Sequence, residues 1–118
     1  MILDDKLNNG ELVILDGATG SELRNFGAVL DPVVWCGAAN LQYPDAVTGV
    51  HEAYIRAGAD IITTNTFATC RHVLNGAGLG DQTVEINRRA VELAHQARDK
   101  AGNGRAIAVA GSLSTMFA

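Results

Sequence analysis

A chain of 118 residues that is 47% hydrophobic and 19% charged has the apolar material of a soluble globular chain with one core, which excludes a large multidomain assembly. Nine Lys and Arg against 13 Asp and Glu leave a formal charge of -4 with no basic run, so the electrostatic footprint of a nucleic-acid binder is missing. The longest apolar run, Ala106 to Ala110, is far shorter than the roughly 18 to 20 residues that span a bilayer, and the first ten residues lack the pattern of a signal peptide, so a cytoplasmic protein that does not enter membranes is expected.

The first strong element signal is Leu12-Val13-Ile14-Leu15, closed by Asp16-Gly17, which reads as a strand buried on both faces and therefore as part of a parallel sheet. Pro44 opens a helix of about four turns in which Val47, Val50, Tyr54 and Ala57 form one stripe, with Asp45 near its positive end and Gly58 just past its last turn. Asp60 to Thr64 is a second β-branched strand. Asp81 reads as the N-cap of a second helix whose Ile86, Ala90, Leu93, Ala94 and Ala97 face a core, while Glu85, Arg88, Arg89, Glu92 and Arg98 face water. After the break at Ala101-Gly102-Asn103-Gly104, Ala106 to Ala110 reads as a third buried strand, ending at Gly111-Ser112. The fold class is α/β, a parallel βαβαβ arrangement with right-handed crossovers.

Connection lengths in this pattern are unequal, and the inequality points to function. Helices return to strands through a few residues, whereas residues 17 to 43 and 65 to about 82 are long strand-to-helix connections. Ligands of parallel α/β proteins sit at the carboxyl ends of strands, where such connections vary over a fixed sheet. Asp16, Thr64-Asn65 and Gly111-Ser112 all emerge there. A carboxylate, a hydroxyl, an amide and open backbone N–H groups on one rim suit a small zwitterion, with Asp16 taking an ammonium and the glycine-rich backbone a carboxylate.

Each of these residues also has a plainer role. Asp16 is equally a turn residue bonding its own backbone, and Thr63, Thr64 and Thr66 are β-formers at a strand end. The segment Asp16 to Leu23 lacks the Lys-Ser/Thr of a phosphate loop, and Gly76-Ala77-Gly78-Leu79-Gly80 fails the dinucleotide fingerprint and reads as flexible punctuation. His51 and His95 read as partly buried or surface helix residues, and none of His51, His72 and His95 has a metal-binding spacing. Cys36 and Cys70 make no CxxC and read as reduced thiols. Trp35, the sole tryptophan, either caps the core or lines a pocket.

The runs Leu15-Asp16-Gly17-Ala18-Thr19-Gly20-Ser21-Glu22-Leu23, His51 through Ala57-Gly58-Ala59-Asp60-Ile61-Ile62-Thr63-Thr64-Asn65-Thr66-Phe67, and Ala110-Gly111-Ser112 resemble the start of the homocysteine S-methyltransferase family. The resemblance implies a (β/α)₈ TIM barrel in which zinc holds the homocysteine sulfur as a thiolate and a methyl group is transferred to it from S-methylmethionine, betaine or methylfolate. It implies substrate binding by Asp16 and Thr64 at the amino group and by the Gly17 and Ala18 N–H groups at the carboxylate. Neither Cys36 nor Cys70 matches the family's zinc cysteines, and Leu113-Ser114-Thr115 departs from its usual Gly-Pro, so no catalytic residue and no metal ligand is expected in this chain. A barrel takes about 250 residues, so residues 1–118 are expected to be the N-terminal portion of such a domain, an incomplete barrel able to self-associate through unpaired sheet edges. The expected partners are homocysteine and a methyl donor. The alternative expectation is a non-catalytic amino-acid-binding or remnant domain lacking the metal site.

Overall fold

The computed structural model describes residues 2–115. Short helices flank the expected frame: α1 (Ile2–Asn8), α2 (Gly20–Asn25) and α3 (Ala39–Gln42) precede the first long helix, α4 (Pro44–Arg56). Proline is well placed at the start of α4, because its fixed φ suits the first turn and its missing N–H would have had no partner there. The helix stops where Gly58 takes φ +111°, a conformation open to glycine at little cost. Its buried face carries Val47, Val50 and Ile55. Ala57, expected in that stripe, is exposed because it is the C-cap residue and the helical phase has ended.

Strand β1 (Ile61–Thr63) leads through α5 (Arg71–Gly76) and a 3₁₀ turn at Gly80–Gln82 into α6 (Thr83–Ala101), then β2 (Ala108–Ala110). Helix α6 buries Ile86, Ala90, Leu93, Ala94 and Ala97, the stripe its periodicity predicts, together with Ala101. Asp81 is not its N-cap. The chain tightens into the 3₁₀ turn there, and the Thr83 hydroxyl instead donates to the Gly80 carbonyl at 2.6 Å. Gly80, expected to be flexible punctuation, is buried in that turn. No helix among the described residues is long and apolar enough to cross a membrane.

The two strands pair in parallel, with Ile61 opposite Ala108 and Thr63 opposite Ala110. The expected first strand is reduced to a single parallel bridge between Leu15 and Ile61. Asp60 and Ile61 donate to the Ile14 carbonyl at 2.7 and 3.2 Å, and Asp16 donates to the Ile61 carbonyl at 3.0 Å. This segment is not buried on both faces: Leu12 is 83% and Leu15 64% exposed. An apolar run is buried only where other elements cover it, and among the described residues β1 alone pairs with this one. The third strand is half-buried rather than buried, for the same reason. Ile62, Ile55, Ala94, Ala97 and Ile107 form a core between the sheet and α4 and α6, with Val109 packed on it, so the helices cover one face of the sheet.

His51 on α4 is 1% exposed, not a partly buried or surface residue, and neither of its ring nitrogens has a hydrogen-bond partner among the described residues. Burial lowers its pKa below the ordinary 6.5, with the charge of Asp16 acting in the opposite direction. Between 6.5 and the lowered value the unfolded chain binds the extra proton, so stability is full above 6.5 and falls as pH drops through that window. A His51→Leu substitution is expected to abolish this slope and to raise stability by about 1 kcal/mol, since it removes unpaired polar atoms at similar volume. Urea unfolding at mildly acidic and mildly alkaline pH measures both effects.

Candidate functional site

The ends of the Leu15 segment and of β1 lie side by side, and side chains from both open on one cavity of about 660 Å³. Asp16, Gly17, Ala18 and Thr64 all line it. Asp16 does not bond its own backbone. One carboxylate oxygen accepts the Thr63 N–H at 2.7 Å and the other accepts the Thr63 hydroxyl at 3.1 Å, so the group is anchored across the bridge to β1. A carboxylate offers about four acceptor positions, and these bonds leave capacity toward the cavity.

Thr64 is buried, and its N–H donates to the Ala110 carbonyl at 2.8 Å, continuing the β1–β2 ladder past the strand. Its hydroxyl lies 2.9 Å from that of Thr66. The single Thr66 proton goes to the Ser112 carbonyl at 2.8 Å, and the same oxygen accepts the Ser112 N–H at 3.1 Å. Thr64 is therefore the donor to Thr66, which leaves its own oxygen as an acceptor. Ser112 lines the cavity directly and is tied to Thr64 through Thr66, whereas Gly111 does not line it.

Gly17 and Ala18 are held by Tyr54 of α4, whose hydroxyl donates to the Ala18 carbonyl at 2.7 Å. Burial, with the charges of Glu22 and Asp16, raises the Tyr54 phenol above its ordinary 10.0, so it remains a donor at neutral pH. A Cβ at residue 17 would stand 2.9 Å from that hydroxyl, which explains the glycine. Among the described residues neither the Gly17 nor the Ala18 N–H donates to another group.

Trp35 lines the cavity rather than capping the core; it is 55% exposed and takes φ +50°. Positive φ in a bulky residue costs of order 1–3 kcal/mol and concentrates at functional sites. Its ring stacks on Phe67, also at the cavity, with centroids 6.5 Å apart. Arg24 of α2 and Asp31 reach the cavity as well, unforeseen from the sequence because α2 is too short to leave a periodic signal. Asn65 lines the floor and is bonded to Asn40, a residue in no recognisable motif.

Cys36 touches the cavity, and burial keeps its thiol above the ordinary 9.0. Cys70 lies outside it, 3.7 Å from His72. Zinc requires three or four thiolate, imidazole or carboxylate ligands, and no group of three or more His, Cys, Asp or Glu among the described residues could hold a metal ion. A buried protonated thiol on its own does not fit zinc.

The family model for homocysteine S-methyltransferase matches residues 13–118. Selenocysteine methyltransferase of Astragalus bisulcatus is 33% identical over 100 residues, covering 84% of this chain and 30% of that protein. Homocysteine S-methyltransferase 1 of Arabidopsis thaliana is 28% identical over 101 residues, covering 84% and 31%. The homocysteine methyltransferase MmuM from Escherichia coli, in its metallated form, superposes with a TM-score of 0.80 at 28% identity over 92% of this chain and 40% of that one. Its oxidized form gives 0.79 at 30% identity, over 87% and 37%. The chain therefore spans about a third of the length of the curated relatives it matches.

Proposed function

The chain belongs to the homocysteine S-methyltransferase family, and on that premise we propose that it forms the amino-acid-binding part of a homocysteine S-methyltransferase, built as the first part of a (β/α)₈ barrel. The Leu15–Ile61 bridge and the β1–β2 pairing support the barrel reading, because both run parallel and each joins segments separated by a helical crossover. One observation carries the functional reading: the Asp16 carboxylate, the Thr64 hydroxyl and two undonated N–H groups meet at one cavity.

Asp16 takes the homocysteine ammonium by a charge-assisted bond, Thr64 offers it a second acceptor, and the Gly17 and Ala18 N–H groups receive the carboxylate. The exposed Trp35 ring supports a cationic methyl donor, such as S-methylmethionine or betaine, since an aromatic face attracts an onium group. Zinc, which the family resemblance implies, would supply thiolate formation when bound, but the described residues do not fit it, and their part is to hold and orient the amino acid. Calorimetric titration with L-homocysteine tests the reading; binding lost in Asp16→Asn supports it, and no binding to the unaltered protein contradicts it.

The open edge beside Leu12 and Leu15 further supports self-association through strand pairing. Sedimentation is expected to show concentration-dependent mass that Leu15→Lys reduces; a concentration-independent monomer contradicts this.

A further inference from the structure

One acceptor on the cavity wall is left over from an otherwise closed network of buried amides. Asn65 is 3% exposed, and its side-chain nitrogen donates to the Cys36 carbonyl at 2.7 Å and to the Asn40 Oδ1 at 3.0 Å. Asn40 is 0% exposed, and its own nitrogen donates to the carbonyls of Asn65 at 2.9 Å and Ile86 at 3.4 Å. Backbone carbonyls only accept, so neither amide can be turned over without setting oxygen against oxygen. Both donors of each amide are therefore spent, and the Asn40 oxygen is filled by Asn65. The Asn65 Oδ1 alone has no donor among the described residues, although the residue lines the cavity. The atom is not among the fully buried ones, so on this otherwise buried residue it opens toward the cavity, where a ligand that brings a donor can take the place of water.

We infer that Asn65 is a further substrate-binding residue, its Oδ1 accepting a hydrogen bond from the ammonium of the amino acid held by Asp16 and Thr64, with Asn40 fixing the direction in which that oxygen points. The inference rests on the amino-acid-binding reading above. An oxygen acceptor repels a carboxylate and gains little from an S–H, a weak donor, so of the groups homocysteine carries the ammonium is the one it attracts most. An ammonium brings three donors, and Asp16, Thr64 and Asn65 supply three acceptors of different kinds. A site built this way discriminates against an analogue without the amino group, because the acceptors would then be left unpaired.

The test compares L-homocysteine with 4-mercaptobutanoate, the same chain without the ammonium, by calorimetric titration. Asn65→Ser is expected to weaken homocysteine binding by about tenfold and to leave the affinity for 4-mercaptobutanoate unchanged. Equal losses for both ligands, or no loss for homocysteine, would overturn the inference. Should Asn65→Ser not fold, or the analogue bind too weakly to titrate, the side-chain carbonyl carbon of Asn65 in the unaltered protein decides by NMR. It should shift on adding homocysteine and not on adding 4-mercaptobutanoate, and an unmoved resonance with homocysteine overturns the role. Homocysteine binding that depends on Asp16 but not on Asn65 removes this inference alone; no homocysteine binding at all removes both readings.

Discussion

Replacing Asp16 by asparagine is expected to weaken L-homocysteine binding by about ten- to a hundredfold while leaving the fold intact. The magnitude follows from losing a hydrogen bond between opposite charges, worth roughly 1.5–3 kcal/mol. Asparagine is the informative choice because Asp16 has a structural task as well. One of its oxygens accepts the Thr63 N–H and the other the Thr63 hydroxyl. An asparagine oxygen can keep the first bond, and its nitrogen can donate to the Thr63 oxygen in place of the second. Alanine would remove both anchors and confuse binding with folding. Calorimetry alongside a thermal melt separates the two: an unchanged melting temperature with lost affinity is the expected pair. Unchanged affinity would return Asp16 to a strand-end role.

The largest effect on stability is expected at the other end of the sheet, where Asp60→Ala should cost about 2 kcal/mol. Asp60 accepts the Ile14 N–H at 2.9 Å and faces Lys6 at 3.6 Å and Arg105 at 3.4 Å. The two cations are partly exposed, so their ion pairs contribute little. Most of the loss comes from the Ile14 N–H, which ties the first segment to β1. The same bond, with Lys6 and Arg105 assisting and burial opposing, holds the Asp60 carboxyl below its ordinary 3.8. Stability from this group is therefore present above 3.8 and is lost as pH falls from there through the lowered value. Asp60→Asn should keep the Ile14 bond, lose roughly half as much as alanine, and flatten that acid slope. Urea unfolding across acidic pH measures all three effects, and an alanine variant as stable as the original would contradict the role.

Helices α4 and α6 and strand β1 were legible because each carries its own signal: a helical apolar stripe closed by glycine, or a β-branched run. That Asp16, Gly17, Ala18 and Thr64 gather at one cavity was legible because they stand at or just past strand ends, where the pattern and the resemblance coincide. The exposure of Leu12 and Leu15 was not legible, since an apolar run records a preference for burial and not the presence of a neighbour to provide it. Short α2, α3 and α5 escaped for a different reason. Helices of so few residues are marginal alone and form where tertiary packing holds them. The Asn40–Asn65 pair joins residues 25 apart through buried amides, and nothing local in either segment announces the other. His51 escaped because a helix position between apolar Val50 and charged Glu52 accepts a surface or a buried histidine equally well in sequence.

Chemical-shift mapping with L-homocysteine tests most directly whether the strand ends form one amino-acid site. The backbone resonances of Asp16, Gly17, Ala18, Thr64 and Asn65 are predicted to move together, with those of Gly58, Gly102 and Arg105, around the smaller hollow at the opposite end, unmoved. Perturbation centred on that opposite hollow, or movement of Thr64 without Asp16, would contradict a shared site.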